Sequence, residues 1–135
     1  MKAWILVLLA LSLPAIAQEE AKEEGGPPKA AYVSLTPPFV GNYALDGGPK
    51  LRVYKADIAL RVTGADAEAA VKRNDALIRN QLVSLFTQQT VDSMSSAEAK
   101  ENIRQEALKQ VQRVMNDEEG KPIVEDLLFN NFIVQ

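Results

Sequence analysis

Tyr54-Lys55-Ala56-Asp57-Ile58-Ala59-Leu60-Arg61-Val62 is the stretch on which the fold turns. Successive side chains of an extended chain point to opposite faces, so Tyr54, Ala56, Ile58, Leu60 and Val62 share one face and Lys55, Asp57, Ala59 and Arg61 the other. The pattern predicts a half-buried strand. Its charged row admits two readings: a solvated surface, or one that sets register with a neighbouring subunit.

Beyond Thr63-Gly64 the period changes from two to that of a helix. Ala67, Val71, Leu77, Ile78, Leu82, Leu85 and Phe86 fall on one side of a helix predicted from about Ala65 to Phe86. Ser95-Ser96-Ala97-Glu98 reads as a capping box with Ser95 as the cap, and so starts a second helix. Ile103, Ala107, Val111, Val114 and Met115 recur along it at helical spacing. Gly120 suits a left-handed stop, and Pro122 cannot continue a helix. Ile123 to Gln135 then predicts a strand apolar on both faces, with Ile123, Leu127, Phe129 and Ile133 on one and Val124, Leu128, Phe132 and Val134 on the other. Such a strand belongs in the middle of a covered sheet or against another chain.

Upstream, Tyr32-Val33-Ser34-Leu35 is a short strand pattern that Pro37-Pro38 interrupts before Phe39-Val40, which predicts an edge or a bend. Asn42, Gly47, Gly48 and Pro49 read as a loop. The order strand, strand, helix, helix, strand predicts an α+β domain: a small antiparallel or mixed sheet with two helices packed on one face.

Residues 31–135 form this domain, and 18–30 precede it as an acidic linker containing Gly25-Gly26 and Pro27-Pro28. Residues 1–17 have the layout of a signal peptide: Lys2, the apolar stretch Ala3 to Leu13, then Pro14 and Ala15-Ile16-Ala17. Cleavage between Ala17 and Gln18 would release the domain, whereas retention would leave a short membrane anchor. The apolar run is shorter than the roughly 20 residues a spanning helix needs.

Composition narrows function by exclusion. The chain has no His and no Cys among its 135 residues. That removes the usual base near neutral pH, thiol nucleophiles and the common zinc ligands, so the sequence predicts no enzyme, no metal and no cofactor. Beyond Ala17, 14 Lys and Arg stand against 18 Asp and Glu, a net charge of −4, which does not attract nucleic acid. Asp57, Glu125 and Asp126 are the acids that paired-carboxylate chemistry would draw on, and strand-borne acids are commonly solvated or ion-paired. Ser93, Ser95 and Ser96 have no nucleophile elbow around them, the paired glycines lack the context of a phosphate loop, and Asp117-Glu118-Glu119 lacks the ligand alternation of a calcium loop. What remains are surfaces that meet proteins, with Lys55, Asp57, Arg61, Phe132 and Val134 as the candidate contact residues.

From Tyr32 to Gln135 the chain resembles the flagellar basal-body-associated FliL family. The resemblance rests on Tyr32-Val33-Ser34-Leu35 with Pro38-Phe39-Val40 and Asn42, on Asp57 to Val62, and on Leu77-Ile78-Arg79 with Leu82. It continues through Thr90, Glu98 to Arg104, and Phe129-Asn130-Asn131-Phe132-Ile133-Val134-Gln135. It implies a periplasmic domain similar to the stomatin/prohibitin fold, which forms homo-oligomeric rings around the flagellar stator units and supports motility, with links to surface sensing and chemotaxis. Members usually carry a cytoplasmic stub and a full transmembrane helix, where this chain has the shorter stretch. Association with the inner membrane would then run through the N-terminus or through partners. The alternative is a soluble periplasmic FliL-like binding module or inhibitor with a non-flagellar partner, capturing an extended peptide along a sheet edge near Tyr32 to Val40.

Overall fold

A computed structural model of the chain describes residues 27–135 apart from 46, 47 and 49. Residues 1–26, with the signal segment, the Ala17–Gln18 junction and the linker as far as residue 26, lie outside the described residues, as do Gly47 and Pro49. Three strands and three helices follow in the order β1 (Ala30–Tyr43), β2 (Arg52–Thr63), α1 (Ala65–Arg73), α2 (Asp75–Thr87), α3 (Ala97–Glu119) and β3 (Asp126–Val134), with a 3₁₀ turn at Asp92–Met94. The class is α+β, with a purely antiparallel sheet in the order β1-β2-β3.

The alternating stretch is the central strand. Tyr54, Ala56, Ile58, Leu60 and Val62 are all buried, and they meet Val33, Leu35 and Phe39 of β1 together with helix residues in a single core. All three helices cover this one face. The helices present Val71 from α1, Ile78, Leu82 and Phe86 from α2, and Ile103, Val111 and Met115 from α3. Fully burying a large apolar side chain contributes about 1.5–3 kcal/mol, so these contacts are the main source of stability in a chain without disulfides.

β1 is an edge strand, and its pairing with β2 slips between Leu35 and Phe39 where Pro37 and Pro38 supply no N–H to the ladder. The strand nevertheless continues to Tyr43. Asn42 is therefore not in a loop; it pairs with Val53, and its amide donates to the Arg52 carbonyl at 3.0 Å.

The helix predicted over Ala65 to Phe86 is two helices. Asn74, only 7% exposed, interrupts the run with φ −105° and ψ 16°, and its Nδ2 donates to the Ala70 carbonyl and to Glu119 on α3. Asparagine competes for backbone groups in this way, which is why it suits a break better than a helix interior. Ile78 and Leu82 are buried as expected, while Leu77, one residue and about 100° around the helix from Ile78, is turned to solvent at 44% exposure.

The cap of α3 is Ser96, not Ser95. The Ser96 hydroxyl accepts from the Ala99 N–H at 3.0 Å, whereas the Ser95 hydroxyl donates to the Val91 carbonyl within the 3₁₀ turn. With Ala99 at the third helical position there is no reciprocal glutamate, so the motif is a simple N-cap rather than a box. Gly120 ends the helix at φ 83°, as its freedom from a Cβ allows.

β3 departs most from expectation. It starts at Asp126, because Ile123 sits in a turn with φ 53° in which the Val124 N–H reaches the Pro122 carbonyl. It lies at the sheet edge rather than in the middle, beside β2 only. An extra residue, Asn130, falls where the register shifts opposite Asp57 and Ile58, and a one-residue slip exchanges the two faces. Leu127 and Phe129 before the bulge, and Phe132 and Val134 after it, therefore all lie opposite the inward row of β2. Leu128, Asn131 and Ile133 lie on the other face.

Candidate interaction surface

The sheet face away from the helices has no covering element among the described residues. Strand register arranges it in rows: Tyr32, Arg61 and Asp126; Ser34, Ala59 and Leu128; Asp57 with Asn131; and Val40, Lys55 and Ile133. Tyr32 is 57% exposed, Val40 65% and Ile133 44%. Apolar side chains with this much open area, interleaved with charge on a flat sheet, make a surface suited to meeting another protein.

The charges on this face differ in how far they are committed. Arg61 Nε lies 3.5 Å from Glu125, whose other oxygen accepts from the Thr63 hydroxyl at 2.7 Å. Asp126 accepts from Arg104 Nη1 at 2.7 Å and from the Leu127 N–H at 2.8 Å. Arg104 also grips Glu101 and the Leu127 carbonyl, and its bond to Glu101 first, then that to Asp126, raise its pKa. Lys55 and Asp57 make no ion pair among the described residues.

Of the five contact residues expected from sequence, Lys55, Asp57 and Arg61 sit together on this face. Phe132 and Val134 do not. They lie across the sheet, where the Phe132 ring is 4.6 Å from Phe129 and 6.1 Å from Phe86, with the Lys100 ammonium 5.4 Å above it. Glu125 and Asp126, considered for paired-carboxylate chemistry, each hold an arginine and lie at the start of β3 rather than in a cleft. No group of three or more acids that could hold a metal ion occurs among the described residues.

Three polar features escaped the sequence pattern. Arg79 stacks on Phe39 with its guanidinium carbon 4.1 Å from the ring centroid, and its Nη1 is buried without a hydrogen-bond partner. Burial raises the Tyr54 pKa, and the Arg79 charge offsets part of that shift. Arg73 makes a two-pronged bond to Glu119 at 2.8 and 3.2 Å, closing the α1–α2 break onto the end of α3. The Arg73 bond first, then that of Asn74, hold the Glu119 carboxyl below its usual 4.5. The only sequence trace of this cluster is Asn74 standing inside a helical pattern.

A depressed folded-state pKa gives stability that is present above the unfolded value and is lost as pH falls through the folded one. Glu119→Gln should therefore lower the melting temperature at neutral pH. The gap should close as pH drops below about 4.5, the ordinary carboxyl value. Thermal melts of both proteins from pH 7 to 3 check this, and a gap that persists undiminished at the acid end would refute it.

The sequence matches the family model described as flagellar basal body-associated protein FliL over residues 32–135. The chain belongs to the FliL family. The match runs from the second residue after the start of β1 to the last residue, so it takes in all three helices, β2, β3 and all but the start of β1. A curated relative, the flagellar protein FliL of Aquifex aeolicus (strain VF5), is 27% identical over 111 residues, which cover 81% of this chain and 65% of that protein. This FliL family member thus spans slightly less than two thirds of the relative's length. Among its described residues no helix is long and apolar enough to cross a membrane.

Proposed function

We propose that this FliL family protein is a non-enzymatic part of the flagellar basal body that self-associates and braces the stator units of the motor. The observation that carries the reading is the family match over residues 32–135, nearly the whole of the folded domain. The sheet face without a covering element among the described residues supports the self-associating part, because Tyr32 leaves apolar area open beside Arg61 and Val40 and Ile133 do so beside Lys55, which has no ion-pair partner of its own among the described residues. The commitment of Glu125 and Asp126 to Arg61 and Arg104 supports a role without reaction chemistry.

In this reading residues 1–17 export the chain, residues 18–30 are a spacer, and residues 31–135 work in the periplasm at the inner membrane or basal body. The domain is similar to the stomatin/prohibitin fold, and copies would form a ring about the stator in support of swimming or surface motility and chemotaxis. The test is a swimming assay of a deletion strain, complemented with the full chain and with a version carrying an unambiguous cleavable signal peptide. Swimming should be lost on deletion and restored by both. Unaffected swimming would favour a periplasmic binding module with a non-flagellar partner instead.

A further inference from the structure

The helical layer carries its own open surface on the side opposite the bare sheet face. A groove of about 350 Å³ runs between α2 and α3, lined by Leu77, Asn80 and Gln81 from the first and Val114, Asp117 and Glu118 from the second. Leu77 is 44% exposed there. Asp117 and Glu118 make no ion pair among the described residues, and neither does Arg113, one turn earlier on α3.

These features mirror the bare sheet face in charge and in size. On the sheet, Lys55 stands between exposed Val40 and Ile133, with Asp57 two residues along the strand, about 7 Å away. On the helices, Asp117 and Glu118 flank apolar Leu77 and Val114, with Arg113 about 5–6 Å back along α3. On both surfaces the cation precedes the anion along the chain at similar spacing, so the two pairs match in charge when the strand and the helix run antiparallel. The row Val40, Lys55, Ile133 is about 10 Å across, near the 8–10 Å that separates packed helices.

We propose that the α2–α3 groove of one copy receives the bare sheet face of the next, Lys55 meeting Asp117 and Glu118 while Val40 and Ile133 cover Leu77 and Val114. This rests on the self-association proposed above and names its interface. The two surfaces lie on opposite sides of the domain, so the contact is head-to-tail, and repeating it generates a closed ring or an open stack rather than a two-fold dimer. Arg61 contributes less than Lys55, since Glu125 already engages it.

The experiment is sedimentation velocity of the full chain over a concentration series, with Lys55→Glu, Glu118→Lys and the two combined. Both positions are exposed, and unchanged thermal melts check that each variant folds. Each single change places like charges together and should weaken association at least about tenfold. The combined variant, with the pair reversed, should recover to within about threefold of the parent. Single changes without effect on an associating parent would overturn this interface and leave self-association standing, as would two weakened singles whose combination is no better. A parent that stays monomeric at every concentration would overturn the interface and the proposed self-association together.

Discussion

Replacing Phe86 by alanine should cost about 3–5 kcal/mol of unfolding free energy, the largest single-residue effect expected in this protein. Phe86 is fully buried on α2, and its ring lies 5.1 Å from Tyr54, 6.0 Å from Phe39, 6.2 Å from Phe129 and 6.1 Å from Phe132. It therefore touches aromatic side chains from all three strands, and edge-to-face or tilted pairs of this kind add to simple area burial. Truncation removes the transfer free energy of the ring and leaves a cavity. The rings around it belong to three paired strands and cannot all move into that space. Urea unfolding of the two proteins measures the effect. A loss under about 1.5 kcal/mol, near the low end for transfer alone, would show that the surrounding rings collapse into the gap and that Phe86 is not the hub described.

Gly41→Ala should destabilise by about 1–3 kcal/mol although it adds one methyl group to an edge strand. The φ of Gly41 lies outside the left-handed range, so backbone strain is not the cause. The obstacle is the cross-strand partner: a Cβ at position 41 would stand 2.9 Å from the Tyr54 hydroxyl and 3.0 Å from its ring. Tyr54 is 1% exposed, and Phe86 packs against its ring, so the ring cannot swing aside freely. Removing the hydroxyl relieves the shortest contact, so Gly41→Ala should cost less in a Tyr54→Phe background than in the parent. Denaturant melts of the four proteins in a double-mutant cycle give the coupling. Additivity to within about 0.5 kcal/mol would mean that some other contact is responsible.

Both effects trace to an arrangement only partly legible in the sequence. The alternation from Tyr54 to Val62 identified the strand, its buried face and the row of Lys55, Asp57 and Arg61 on the other side, because a strand's side-chain period is local and invariant. The same holds for the buried stripe of α3 and the left-handed stop at Gly120. Asn74 was harder to place: Val71, Ile78, Leu82 and Phe86 suit one continuous helix, and what divides it is a hydrogen bond to Glu119, 45 residues away. The cap shifted by one residue because Ser95 and Ser96 are equally good caps, and the bond of Ser95 to Val91 depends on the preceding turn.

The candidate surface divided along the same line. Lys55, Asp57 and Arg61 share one face of β2 by the strand period alone, whereas alternation counted through Asn130 puts Phe132 and Val134 on the face of Leu128 and the register puts them on the opposite one. One bulged residue reverses that count, and nothing in the residue types Phe-Asn-Asn-Phe announces which asparagine is extra.

By itself, then, the sequence determined the class of fold, the central strand and its two faces, the absence of histidine and cysteine, and the family resemblance. All of these follow from residue identity or from periodicities set by backbone geometry within one element. Only the tertiary structure decided that β3 is an edge strand, that its aromatic residues close on Phe86, and that the helices form an acidic groove while the sheet face carrying Lys55 has no covering element among the described residues. Those outcomes depend on which elements pair and in what register. Register is settled by long-range packing around shared rings and by hydrogen bonds between residues far apart in the chain, which no local period encodes.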